Sequence, residues 1–258
     1  MTTHAVINWR EKFLAFAIHF SVTAAVGACA AALIFLVWFP HPFATMIGGT
    51  DLFMLLVGCD LVLGPLLSLV VYNSRKSRRA LAIDYTVIGL VQLATVFYGI
   101  YVVAGTRPVA VAFSKDRFEI VSARDISDAE LAAARSPEYH TLPLTGPRYV
   151  NVKISAADYQ DALFEALKGN EEHQRPKFYQ PFGTALEQIR QRAGKVSDLE
   201  KKFPKYAPAL ESAVRESGLE PQFAHWLPVR HRAGFWTAII DESTGRPLSY
   251  AAVDPYGS

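Results

Sequence analysis

Few side chains in this chain could do chemistry, and the most unexpected ones lie inside apolar runs. Asp60 sits near the middle of one run, VGCDLVLGPLLSLVVY. Gln92 sits near the middle of another, LAIDYTVIGLVQLATVFYGIYVV, and Asp84 near its start. An acid at the centre of a membrane helix costs roughly 2.5–3.5 kcal/mol on insertion scales, so it must pair with, bind or move something. In an antiparallel hairpin turning near residues 76–77, Asp60 falls level with position 93. The expectation is therefore an Asp60–Gln92 contact across two helices, either locking the hairpin or offered to a foreign helix. Asp84 falls within reach of Arg78, Arg79 or interfacial water. Gly64-Pro65 follows Asp60 by one turn. Proline removes a backbone donor and crowds the carbonyl of Leu61, which predicts a kink. Membrane helices tolerate one where a neighbour satisfies the freed group.

Other constellations carry less. His225 and His231 flank WLPVR, and His140 and His173 are remote in sequence. No HExxH and no paired cysteine accompany them, so no metal site is expected. Ser243-Thr244-Gly245 lacks the G-x-S-x-G context of a nucleophile elbow. Gly48-Gly49 precedes an apolar run and reads as no phosphate loop. Asp241 beside Glu242 fits a hairpin tip better than a carboxylate pair for acid–base work. No catalytic residue and no cofactor is expected, and the chain reads as one that binds or positions rather than as an enzyme.

The elements that place these residues divide the chain in two. Over 258 residues the formal charge is +2, and mean hydropathy is +0.15. Residues 107–258 hold 20 of the 26 Lys/Arg and 20 of the 24 Asp/Glu, a balanced and soluble-looking half. No basic stripe marks it, so nucleic acid is not an expected partner. Cys29 and Cys59 both lie in apolar runs, so the polar half cannot depend on disulfides.

Apolar segments at about 13–39, 52–72 and 81–103 are each long enough to cross a bilayer. Arg10 and Lys12 precede the first, and Arg75, Lys76, Arg78 and Arg79 lie between the second and third. The turn at 41–50 holds no Lys or Arg. Positive charge marks cytoplasmic flanks, so the N-terminus and the 75–79 knot face the cytoplasm. The segment after the third span then lies outside, in the periplasm of a Gram-negative cell. The expected organisation is a cytoplasmic N-terminus at 1–12, a three-helix transmembrane domain at 13–106 and an extracytoplasmic α+β domain at 107–258. Trp38, Phe39 and Phe43 read as an aromatic belt at the membrane exit. TAAVGACAAA, residues 23–32 with Gly27 and Ala28, is a small-residue face that lets helices approach closely. Val26–Cys29 loosely resembles a lipoprotein cleavage box. The apolar run continues through residues 30–39, so this segment is expected to stay uncleaved.

Beyond Arg107, strands are expected at 109–113 and 118–121 with a turn between them. A Ser127 capping box opens a short helix. A third strand spans 149–154. Ser155 caps a helix at 156–167 whose apolar positions Tyr159, Leu163, Phe164 and Leu167 recur at helical spacing, with Gly169 as its stop. Residues 170–181 read as loop. Helices at 184–193, 197–202 and 208–217 and strands at 223–229, 235–240 and 248–253 complete an α+β domain.

Several motifs run in order along the chain: WFPHPF followed by Gly48-Gly49; CDLVLGPLL with Asp60, Gly64 and Pro65; the basic knot leading to Arg79 and Asp84; Gln92-Leu93; Tyr98-Gly99; Arg107-Pro108-Val109; DRFEIV from Asp116 to Val121; and the terminal FWTAIIDESTGRPLSY. Together they resemble the TfpX/TfpZ family of type IV pilin accessory proteins. Residues 135–220 carry no family signal. The resemblance implies a multi-pass protein of the bacterial inner membrane that serves a particular pilin, aiding pilus assembly or shifting the balance of extension and retraction. It implies the cognate major pilin as partner, through its single apolar helix with a buried acid and through its head, alongside assembly-platform proteins and the bilayer. Gly27, Ala28, Asp60, Gly64, Pro65, Asp84 and Gln92 are then candidates for pilin contact or helix packing. Two alternatives stay open: a membrane-anchored periplasmic sensor or binding module acting through a signalling partner, and a small transporter using Asp60 and Asp84.

Overall fold

The computed structural model describes residues 9–73 and 76–257, without the side chains of Leu52 and Leu56; Arg75 of the basic knot lies outside the described residues. The three apolar runs form helices α1 (Trp9–Ala32), α3 (Gly49–Val71) and α4 (Arg78–Thr106), with the short α2 (Phe43–Met46) between the first two. Each long helix is long and apolar enough to cross a membrane. α1 runs on through Leu33–Trp38 in wider, π-type turns. α3 continues through Pro65. Gly48 precedes α3 with φ +73°, a left-handed conformation that glycine adopts without a Cβ penalty.

Two compact units result. One holds the helices, up to Val37 and from Gly48 to Ala104. The other joins Gly105–Ser258 to a separate ten-residue piece, Trp38–Ile47. The sheet unit therefore takes in the connector between the first two long helices.

Its core is one mixed sheet in the order β4-β3-β1-β2-β6-β7-β8, with β5 pairing β6. The strands are β1 Pro108–Ser114, β2 Arg117–Ser122, β3 Arg148–Val152, β4 Tyr179–Pro181, β5 Gly194–Lys195, β6 His225–His231, β7 Gly234–Ile240 and β8 Pro247–Ala251. β1–β3 and β2–β6 are parallel, and the other pairs antiparallel. Strand alternation sends Val111, Phe113, Phe118, Ile120, Leu227, Val229, Ala238 and Ile240 into one core, packed with Phe182, Ala185 and Ile189. Ala110, Ala112 and Val121 enter a second core with Ile126, Tyr139 and Tyr179. Ile239 and Ala251 enter a third with Leu199, Leu210 and Val214.

The expected helices are present as α5 Asp128–Ala132, α6 Tyr159–Leu167, α7 Leu186–Arg192, α8 Val196–Lys202 and α9 Ala207–Ser217. Ser127 Oγ accepts from the Glu130 amide, and Gly218 closes α9 at φ +74°.

Three expectations are corrected. The aromatic belt is a core element: Phe39 and Phe43 are 1% and 4% exposed, Met46 joins them at 2%, and Phe43 meets the Tyr250 ring edge-on at 5.8 Å. Residues 170–181 are not all loop, since Tyr179–Pro181 pairs with β3 as an edge strand too short to show alternation. The apolar side of α6 faces outward, with Tyr159, Leu163, Phe164 and Leu167 all at least half exposed. α6 is held instead through its polar side, where Asp161 meets the buried Arg175 at 2.9 Å and Lys177 at 2.5 Å.

Between β2, β6 and the 171–174 turn lies a cluster of ions. Arg230 Nε donates to Glu119 at 2.6 Å, and its Nη2 reaches Glu171. Glu172 pairs with Lys115 at 2.5 Å and accepts from Ser114 Oγ at 3.2 Å. Burial raises the Glu119 carboxyl from its ordinary 4.5 to about 7, against the pull of Arg230.

Two outcomes are expected. Phe43→Ala destabilises the sheet unit by about 3–5 kcal/mol in chemical unfolding of the full chain, whereas Thr45→Ala, on an exposed site two residues away, changes it by less than about 0.5 kcal/mol. Between pH 4.5 and about 7 the folded Glu119 keeps a proton that the unfolded chain has released, so its contribution to stability is lost as pH rises through that window. The stability difference between the native chain and Glu119→Gln should fall by about 3 kcal/mol from pH 4.5 to 7.5; a flat difference contradicts the burial argument.

Candidate functional site

Inside the helical unit the polar side chains gather into one seam. α1 packs along α3, with Gly27 against Val57, where an added Cβ would lie 3.2 Å from the valine methyl. Two turns earlier on α1, at i−8, His19 reaches both other long helices. Its Nδ1 meets the buried Ser68 hydroxyl of α3, and its Nε2 lies 2.5 Å from Gln92 Oε1 of α4. Gln92 Oε1 can only accept, so Nε2 carries a proton and donates to it, while Nδ1 hydrogen-bonds the Ser68 hydroxyl. One imidazole thus ties three helices, with both nitrogens used.

Gly64 makes this tie possible. A Cβ there would come within 1.9 Å of the Gln92 amide nitrogen and 3.1 Å of His19 Nε2. The glycine is therefore the floor on which the amide lies. Pro65 is buried next to it.

Asp60, one turn from Gly64 toward the start of α3, does not touch Gln92 as expected. Its carboxylate meets Thr95 Oγ1, at 3.1 Å and 3.5 Å from its two oxygens. The pairing is slid by two residues from the expected position 93, and His19 of α1 takes Gln92 instead. The same Thr95 hydroxyl lies 2.8 Å from the Gln92 carbonyl. A hydroxyl has one proton, so Asp60 shares a single donor with the backbone of α4.

The other ends of the helices carry their own ties. Lys76 pairs with Asp84 at 2.7 Å, rather than Arg78 or Arg79 doing so. Lys12 donates to the Leu69 carbonyl at 3.2 Å, and the Tyr72 hydroxyl donates to Glu11 at 3.1 Å. Both Arg78 and Arg79 are exposed at the start of α4. Ala28 is also exposed, so of the small-residue stretch it is Thr23, Gly27 and Ala30 that face the other helices.

Beside the seam a groove of about 530 Å³ opens between α1 and α4. Ile18, Val22, Val26, Leu93 and Val96 form apolar walls; His19, Thr23, Asp60, Tyr72, Tyr85 and Gln92 are the polar groups along it. A smaller cavity of about 50 Å³ lies on the other side of Asp60 and Thr95, among Gly27, Phe53, Val57 and Gly99.

His19, Ser68 and Thr95 were not singled out from the sequence. The signal was there: His19, Thr23, Gly27 and Ala30 form one stripe of α1, and Asp60, Gly64 and Ser68 one stripe of α3. Counting formal charge passes over all but Asp60. Among the described residues, no cluster of three or more His, Cys, Asp or Glu could hold a metal ion.

Comparison with known proteins gives the arrangement a context. A family model described as "Fimbrial assembly protein FimB" matches residues 7–48, the first long helix and the connector. Two fimbrial assembly proteins of Dichelobacter nodosus, of serogroups I and E1, are each 32% identical over 230 residues, 88% of this chain and 89% of their own length. A third, of serogroups C1 and C2, is 40% identical over 117 residues, 45% of this chain and 89% of its own. No solved structure matches significantly. The similarity runs through both the helical and the sheet unit, and this chain belongs to the family of fimbrial assembly proteins.

Proposed function

We propose that this chain is a non-catalytic accessory protein of type IV pili, of the TfpX/TfpZ kind, held in the bacterial inner membrane, that binds its cognate pilin and shifts the balance between pilus assembly and retraction. One observation carries the reading: the similarity to fimbrial assembly proteins extends over nearly nine-tenths of the chain. A role confined to anchoring would need the helices alone, whereas the sheet unit is covered too.

The orientation proposed is three crossings, with residues 1–12 and the 75–79 knot in the cytoplasm and residues 107–258 in the periplasm. Two features support it. Arg10, Lys12, Lys76, Arg78 and Arg79 all flank spans on one side, as positive-inside charge requires. The connector Trp38–Ile47 and the segment from Gly105 onward are parts of one folded unit, so they occupy one side of any membrane the helices cross. An odd number of crossings with a return between α1 and α3 meets that condition.

The seam fits a partner that is itself a membrane helix. Gly27, Asp60, Gly64, Pro65 and Gln92 lie on or beside it, whereas Ala28 and Asp84 lie away from it and serve the lipid face and the Lys76 tie. The pilin helix and head are the proposed contacts, with assembly-platform proteins as further partners.

The test is a strain lacking this chain, scored for surface pili by electron microscopy. Loss of pili is expected, with recovery when the retraction motor is also removed, because assembly itself remains possible. Unchanged piliation in the single deletion would overturn the reading. Loss that removal of the motor does not reverse would overturn the retraction-balance part of it.

A further inference from the structure

The groove between α1 and α4 is apolar-walled, yet two of its polar groups are left short of partners. Asp60 has up to about four lone-pair positions and shares the one proton of Thr95 Oγ1 with the Gln92 carbonyl, the shorter of the two contacts. The Tyr85 hydroxyl, also on the groove, is buried with no hydrogen-bond partner among the described residues. In hydrocarbon each such deficit costs several kcal/mol, because no water is present to make it up.

Resting on the pilus reading above, we infer that this groove is the seat of one transmembrane helix of the pilus subunit, which turns a hydrogen-bond donor toward Asp60. The charge on the groove floor selects the occupant. An acyl chain would fill the apolar walls and leave Asp60 and Tyr85 unpaired. A helix bearing a hydroxyl, amide, ammonium or protonated carboxyl at that depth satisfies Asp60 and buries the walls together. Thr95 and Tyr85 are ten residues apart on one helix, about 15 Å along its axis. The occupant is therefore an apolar helix with two polar positions about ten residues apart, the donor against Asp60 and a second polar group at Tyr85. His19 and Gln92 pair with each other and hold the groove open rather than meet the guest.

The experiment uses the full chain in its own membranes, with a photoreactive phenylalanine placed at Val22 or Leu93 on the groove, or at Phe20 or Val91 on exposed faces outside it. Expected is an adduct with the pilus subunit from Val22 and Leu93, weak or absent from Phe20 and Val91, whose yield falls at least tenfold in Asp60→Leu and far less in Asp60→Asn, which keeps an acceptor. Equal protein levels and intact packing of α1 on α3, read by cysteine cross-linking of Gly27→Cys with Val57→Cys on a Cys29→Ser, Cys59→Ser background, show that the variant is folded. Adducts with lipid only, subunit adducts of equal yield in Asp60→Leu, or adducts that favour Phe20 and Val91 would each overturn the inference. Piliation of the same strains separates the two readings. A deletion strain that loses pili, with a groove that traps only lipid, leaves the pilus role standing and removes the groove. A deletion strain with normal pili removes the role itself.

Discussion

The burial of Phe39, Phe43 and Met46 in the sheet unit is the constraint on which the rest depends. The connector between the first two long helices is too short to wander, and its apolar side chains fill the face of the sheet that Phe113, Phe118 and Val229 also line. Burying a phenylalanine-sized side chain is worth about 1.5–3 kcal/mol, so the connector and the polar half of the chain fold as one body. Any membrane the three helices cross would then have the end of α1, the start of α3 and the end of α4 on one side. It also gives WFPHPF, otherwise an odd motif beside an apolar run, a packing reason.

Within the helical unit a second constraint operates. Polar side chains in apolar surroundings must satisfy one another, and three helices supply a histidine, a serine and an amide that pair in one chain of hydrogen bonds. Gly64 gives the amide its place. Asp60 stands apart from this economy: among the described residues one shared hydroxyl is all that meets it. A seam that is closed at His19 and open at Asp60 is what a protein that receives another helix would carry, whereas a self-sufficient anchor would have closed both.

Much of this was legible from residues alone, and the failures have physical causes. The three long helices follow from length and apolarity, and the β1–β2 hairpin and the strands β6 and β7 from their apolar runs bounded by turns. Ser127 marks a helix start as expected. The belt at Trp38–Phe43 misled because aromatic residues next to a span look the same whether they meet headgroups or a protein core; only tertiary packing separates them. The edge strand at Tyr179 is three residues long and leaves no period to read. α6 has a helical apolar stripe, but Arg175 and Lys177 hold its acidic side to the domain and turn that stripe outward. The site was half legible. Asp60 and Gln92 stood out as polar groups in apolar runs, whereas their actual partners, Thr95 and His19, are ordinary in composition and come from a different register and a different helix.

The most direct check is compartment labelling with a membrane-impermeant maleimide on cells whose outer membrane is permeabilised, with Cys29 and Cys59 replaced by serine. Single cysteines from Thr45→Cys in the connector and Glu187→Cys in the sheet unit should label together from the periplasmic side. One from Ser77→Cys, in the basic turn, should label only after the inner membrane is broken. If Thr45→Cys and Glu187→Cys label from opposite sides, or Ser77→Cys labels with them, the three-crossing account is wrong.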